Sequence, residues 1–190
     1  MNKTIQNAMI AADRLFEIMD LEREATENKI ELNPELIGNI VFENVSFRYG
    51  SRMEVFKNFN LQIKKGETTA IVGESGSGKT TLMKLLLKFY SPTEGQIKYN
   101  GVDINSLSAK SIRENSGVVM QDGFIFSDSI KRNIATGDVN INERKLSNSI
   151  YIANISDFIN SLPLKLNTKI GASGNGISGG QKQRILIARA

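Results

Sequence analysis

The run Gly73-Glu74-Ser75-Gly76-Ser77-Gly78-Lys79-Thr80 decides how this chain is read. Its spacing, a glycine, four residues and then Gly-Lys-Thr, is that of a loop that wraps phosphate groups. Glycines let successive backbone N–H groups turn toward an anion with no Cβ in the way, and a helix that starts at the loop points its positive end at the same place. Lys79 is then placed to reach the β- and γ-phosphates of a nucleotide, and the Thr80 hydroxyl to ligate Mg²⁺.

The flanks agree with that reading. Thr68–Val72 is a short β-rich run entering the loop, and Lys79–Phe89 is a helix former that is apolar on most faces, as a buried central helix requires. A glycine-rich turn with an unrelated lysine would need neither neighbour.

Composition sets the outer limits. With 190 residues and 40% hydrophobic content, the chain can bury one principal core and is too apolar to be disordered. The net charge of +4 suits an anionic ligand, but the lysines are scattered and form no dense basic run, so nucleic acid is not required to explain it. The absence of cysteine excludes disulfides and thiolate metal sites. No apolar stretch is long enough to span a bilayer, and Met1–Asp20 lacks a signal-peptide core, so the chain as written is expected to be soluble.

Outward from the loop, the chain divides into a leader and a globular part. Ile5, Met9, Ala12, Phe16 and Met19 recur at helical spacing and predict an amphipathic helix over residues 3–20. Its polar face mixes both charge signs. A membrane-surface helix would favour lysine and arginine there, so the face suits a protein partner or an ordinary solvated surface. Glu22–Pro34 carries no clear period and reads as a linker.

Alternation predicts strands at Ile40–Phe47 and Asn60–Ile63, a turn at Lys64–Glu67, and a strand at Gly95–Asn100 followed by an Asn100-Gly101 turn. A short helix is expected over Ser108–Glu114 and a buried strand over Gly117–Met120. Capped short helices are expected at Asp128–Ala135, Asn142–Asn154 and Ser156–Ser161. The fold class is therefore α/β: a phosphate-loop core with an antiparallel β part and a mostly helical insertion.

A second motif, Ile177-Ser178-Gly179-Gly180-Gln181, runs into the helix-forming stretch Lys182–Ala190. Ser178 and Gln181 have capping-box spacing, and the two glycines expose backbone N–H groups at the helix start. From the residues alone, this is either a second anion site or a plain helix cap.

Together the two motifs resemble the ATP-binding-cassette family, whose nucleotide domains carry a phosphate loop and, about a hundred residues later, a Leu-Ser-Gly-Gly-Gln signature; here Ile177 takes the place of the leucine. The resemblance covers Asn39–Ala190. It implies ATP and Mg²⁺ as ligands, with Gly73, Glu74, Ser75, Gly76, Ser77, Gly78, Lys79, Thr80 and Thr81 around the phosphates. Tyr49 would stack on adenine, although an aromatic at a strand end is otherwise an ordinary packing residue. Gln121 would sense Mg²⁺, which it shares with Thr80, together with the attacking water. Ser178, Gly179, Gly180 and Gln181 would act in trans, closing on the ATP of a second nucleotide domain in a head-to-tail dimer.

The run Asp122–Ile134 is similar to the exporter branch, in particular to exporters of bacteriocins and other peptides, and Ala12–Ile18 is similar to the tail that joins an exporter's membrane domain to its nucleotide domain. This implies a transmembrane partner, a place at the cytoplasmic face of the membrane, and no nucleic acid. The domains expected are a leader and linker at 1–38 and a nucleotide domain at 39–190, with its helical part over about 123–190. At Gly171–Gly176 many exporters have a glutamate where this chain has Ala172, which removes the basis for a membrane-domain contact there.

In phosphate-loop NTPases an aspartate ending an apolar strand holds Mg²⁺, and another group orients the attacking water. In the resembled family these residues and a switch histidine follow the signature helix, whereas this sequence runs to Ala190 and has no histidine. The expectation is a fragment of a longer transporter, incomplete at its C-terminus, that binds Mg-ATP weakly and hydrolyses little, with apolar surface exposed where strands are lacking. Two other classes are compatible: a self-contained NTPase or kinase using Asp122 for Mg²⁺, which leaves the second motif idle, and a soluble cassette ATPase with no membrane partner.

Overall fold

The leader forms the helix that its spacing predicts: α1 spans Lys3–Met19, with Ile5, Met9, Phe16 and Met19 on its surface. The computed structural model describes residues 3–21, 24, 29–33, 36–171 and 176–190. Much of the predicted linker, and Ala172 with its neighbours to Asn175, lie outside the described residues. The chain divides into two units, Met1–Asn115 and Ser116–Ala190.

The first unit is built on a four-stranded antiparallel sheet. β1 (Ile40–Arg48) lies between β2 (Glu54–Ile63) and β3 (Glu94–Tyr99), and β4 (Val102–Asp103) pairs with the outer side of β3. Phe42, Val45 and Phe47 are all buried, although Phe42 and Val45 have opposite parity in a regular strand. The register shifts between Phe42 and Val45, where Asn44 adopts φ 48°, and this bulge returns both side chains to the core face. Gly95 faces the bulge so closely that a Cβ would lie 2.3 Å from the Asn44 carbonyl oxygen. The predicted Asn100-Gly101 turn joins β3 to β4, with φ positive at both residues (47° and 85°), as a tight hairpin requires.

α2 (Lys79–Leu86) buries Leu82 and Leu85 against Phe42, Ile97, Leu107 and Ile112. The predicted helix extended to Phe89; it ends earlier because Lys88 turns left-handed (φ 53°). Lys88 N–H then donates to Leu85 O at 3.0 Å and Phe89 N–H to Lys84 O at 2.9 Å. These are the two bonds of a Schellman cap, with lysine in the place glycine usually takes.

The end of the linker docks on this unit. Ile30 pairs in parallel with Leu107, donating to Ser106 O and accepting from Ser108 N–H. Leu32 is buried; its N–H donates to Ser111 Oγ at 2.5 Å, and its carbonyl accepts from Ser111 Oγ and Asn115 Nδ2. Ser111 lies on α3 (Ala109–Glu114), which is capped by Ser108.

Two expected strands are not formed. Thr68–Val72 and Gly117–Met120 have no ladder among the described residues, and Val72 is 90% exposed. Gly117–Met120 was expected to be buried, but Val119 and Met120 are exposed. A strand of a parallel core sheet is held by neighbours on its edges, and without pairing the same run forms no ladder and stays exposed.

The second unit is helical. α4 (Ile130–Ile134), α5 (Glu143–Ile152), α6 (Ser156–Ser161) and α7 (Gly179–Arg189) surround a core that includes Ile125, Ile130, Ile134, Ile150, Ile155 and Ile185. Asn142 caps α5 at the start of its predicted range, whereas α4 is capped by Ser129, one residue past the predicted start at Asp128, and α6 follows Ile155 with no side-chain cap. At Ser129–Lys169 the chain closes on itself: Ile130 N–H donates to Thr168 O at 3.0 Å and Ile170 N–H to Asp128 O at 2.9 Å.

Candidate functional site

Residues 73–80 form a loop that opens onto the N-terminus of α2. Gly76 and Gly78 have φ of 84° and 93°, and a Cβ at Gly78 would come within 2.9 Å of Val55 and Phe56 of β2. No side chain caps α2, so the N–H groups of its first turn remain available to a ligand. Lys79 folds back over the loop: its ammonium donates to Gly73 O at 2.8 Å, Glu74 O at 2.6 Å and Ser77 Oγ at 3.3 Å. A cation, uncapped N–H groups and the exposed Thr80 hydroxyl thus gather at one mouth. The set suits a polyphosphate with a hard divalent cation, because its donors meet phosphate oxygens and its hydroxyl supplies an oxygen ligand.

Tyr49 follows β1 and reaches the same helix. Its hydroxyl and that of buried Thr81 lie 3.1 Å apart. Phe47 and Tyr90 both meet the Tyr49 ring edge-on, at centroid distances of 4.9 and 5.1 Å, and the Lys84 ammonium lies 5.7 Å from its centre. The two ring contacts and the hydroxyl bond fix the ring plane. Sequence reasoning singled out Tyr49 but missed Tyr90, which the β1 pattern gives no means of finding.

In the second unit, Gln121 and Gly179 line one cavity of about 540 Å³ together with Val119, Met120, Lys182, Gln183 and Leu186. Gln121 is exposed. The loop after it is held by Asn133, a fully buried amide whose Oδ1 accepts from Phe126 N–H at 2.8 Å and whose Nδ2 donates to Phe126 O at 3.0 Å. Arg189 of α7 completes the bracket, donating to Phe124 O, Asn133 O and Asn133 Oδ1 at 2.7, 2.7 and 3.2 Å. Its burial pulls the guanidinium pKa below its ordinary value. An asparagine among the inward positions of α4 was the one sequence signal for this network.

The capping box at α7 is complete: Gln181 N–H donates to Ser178 Oγ at 3.2 Å, and Ser178 N–H to Gln181 Oε1 at 2.8 Å. Gly179 and Gly180 have ordinary φ, and a Cβ at either would meet nothing within 4 Å. They open the first turn of α7, and neither a positive φ nor a close approach within this unit requires glycine at either position. Asp122, the carboxylate of the self-contained NTPase reading, is exposed, and among the described residues no group of three or more His, Cys, Asp or Glu side chains could hold a metal.

Comparison with known proteins gives the same direction. The ABC transporter family profile matches residues 56–190. The chain is 40% identical over 190 residues to ABC transporter B family member 2 of Dictyostelium discoideum, covering 97% of this chain and 14% of that protein. It is 39% identical to an ATP-dependent lipid A-core flippase of Saccharophagus degradans, covering all of this chain and 32% of the flippase. Against the leukotoxin translocation ATP-binding protein LktB of Mannheimia glucosida, identity is 41%, over 97% of this chain and 26% of LktB. A bacterial Atm1-family ABC exporter, solved with ATP bound, superposes with a TM-score of 0.86 at 35% identity, over 98% of this chain and 33% of the exporter. The chain thus spans about a third or less of the length of these relatives.

Proposed function

The chain belongs to the ABC transporter family, and from that premise we propose that it is the part of an exporter that binds ATP and drives export across a membrane. The observation that carries the reading is the phosphate loop itself, with Lys79 held over it and α2 left uncapped behind it. Gly73–Thr81 hold the phosphates, Lys79 neutralises their charge and Thr80 supplies a Mg²⁺ ligand. Mg²⁺, when bound, offsets the charge that develops on the γ-phosphoryl oxygens. Tyr49 presents its ring to the adenine. Gln121 is proposed to sense the metal and the attacking water, on the strength of its family match.

The Ser178–Gln181 turn is proposed to close on the nucleotide of a second copy or a related domain. The two unexplained glycines support this, since a surface free of Cβ atoms lets another molecule's phosphates approach the helix backbone. We further propose a transmembrane partner and a place at the cytoplasmic face of the membrane, a reading that the exporter relatives support; among the described residues no helix is long and apolar enough to cross a membrane. The relatives are named for lipid A-core, leukotoxin and multidrug transport. The narrower reading, peptide or bacteriocin export, rests on Asp122–Ile134 alone.

Titration of the purified chain with a fluorescent ATP analogue and Mg²⁺ tests the reading. Saturable binding that Lys79→Ala weakens at least about ten-fold is expected. Binding that is absent, or indifferent to that substitution, overturns it.

A further inference from the structure

Arg113 of α3 faces two ways. Its Nη1 and Nη2 donate to Glu24 Oε2 at 2.9 Å and Glu24 Oε1 at 2.5 Å, a bidentate pair with the leader segment. Its Nε donates to Leu87 O and its Nη2 to Lys88 O, both at 3.1 Å, at the C-terminal end of α2. The same guanidinium lies 4.7 Å from the centre of the Phe89 ring. Next along the chain, Tyr90 meets Tyr49, and Tyr49 bonds Thr81 in the first turn of α2. The leader is therefore joined by side-chain contacts to the C-terminal end of the helix that carries the phosphate loop, and through the Phe89–Tyr90 peptide to Tyr49 and the first turn of that helix.

Stability does not account for the ion pair. Glu24 is more than half exposed, and pairs of that kind contribute little net stability. Ile30 and Leu32 hold the segment through backbone bonds of their own. What the pair adds is orientation, because a bidentate guanidinium–carboxylate contact has one favoured plane. The Arg113 hydrogen bond also holds the Glu24 carboxyl below its ordinary pKa, so the carboxylate stays charged at neutral pH.

We propose that Arg113 is a positioning residue through which the leader segment at Glu24 sets the affinity of the phosphate-loop site. The inference rests on the ATP-binding reading above. Release of Glu24 frees the guanidinium to shift on Leu87, Lys88 and Phe89, and Tyr90 carries that shift to Tyr49. By linkage, nucleotide in the loop tightens the leader by the same factor.

The test titrates the fluorescent ATP analogue with Mg²⁺ into the full chain and into Glu24→Gln, Arg113→Lys and the double variant, with thermal melting to verify folding. Glu24→Gln is expected to keep the melting temperature and to lose affinity about five-fold or more, and the double variant to lose no more than the worse single one. Hydrogen exchange at the Ile30 and Leu32 amides should slow on nucleotide addition in the parent and not in Glu24→Gln. Lys79-dependent binding in the parent with unchanged affinity in Glu24→Gln overturns the relay alone. A parent that binds no nucleotide overturns the ATP reading and the relay with it.

Discussion

The hydroxyl oxygens of Tyr49 and Thr81 lie 3.1 Å apart, tying the residue that ends the first strand's run to the first turn of the phosphate-loop helix. Tyr49→Phe keeps the ring contacts and removes this bond. It is expected to lower stability by about 1 kcal/mol, measured by denaturant titration, with a small effect on nucleotide affinity. Tyr49→Ala also removes the ring and should weaken ATP binding much more than Tyr49→Phe. Equal affinities in the two variants would remove the adenine-stacking role.

Two glycines should respond in opposite ways. Gly78→Ala places a Cβ at φ 93°, 2.9 Å from Val55 and Phe56, and is expected to lower the melting temperature and abolish nucleotide binding. Gly180→Ala has open space and ordinary φ, so its melting temperature should stay level or rise. In the full transporter, Gly180→Ala should still reduce ATP turnover, since it obstructs the face offered to another copy. A destabilised Gly180→Ala chain would instead give that glycine an internal purpose.

Asn133→Leu keeps the side-chain branching and puts two methyl groups in place of the amide. Phe126 N–H then loses its acceptor and Arg189 one of its three, in a partly buried setting, a loss of roughly 2 kcal/mol. Amide exchange at Phe126 and the unfolding midpoint are the measurements. The variant should expose the loop after Gln121 before the rest of its unit unfolds.

Alkaline pH should act through Tyr99. Burial pushes its phenol up to about 12, from an ordinary value of 10.0, and its hydroxyl donates to Leu86 O at 2.7 Å. The unfolded chain releases this proton first, so the stabilisation is complete below pH 10 and is lost as pH rises toward 12. The shift corresponds to roughly 3 kcal/mol at its upper limit. Tyr99→Phe should be less stable than the parent at neutral pH and lose less stability between pH 10 and 12 in guanidinium titrations. Parallel curves for the two chains would argue against Tyr99 as the source.

Local chemistry was legible where the physics is local. The phosphate loop, the Ser178–Gln181 capping box and the Asn100-Gly101 turn each depend on neighbours within a few residues, and each was read from spacing alone. The first half of β2 escaped because Asn58, at φ 47°, breaks the alternation, so Val55 and Phe56 did not read as strand. The helix end at Leu86 was missed because a lysine occupies the left-handed cap position. Thr68–Val72 and Gly117–Met120 have strand composition, but a strand exists only with a partner, and composition does not reveal the partner. Arg113 and Asn133 act over separations of 89 and 56 residues, which periodicity does not report.

The bare run at Thr68–Val72 also governs how the protein behaves in the test tube. A β-prone segment with exposed Ile71 and Val72 and no strand partner is an adhesive edge, ready to add the same segment of another molecule. Self-association should therefore grow with protein concentration. A charged residue at Val72 would blunt that edge, while the phosphate loop that begins at the next residue limits the replacements it tolerates.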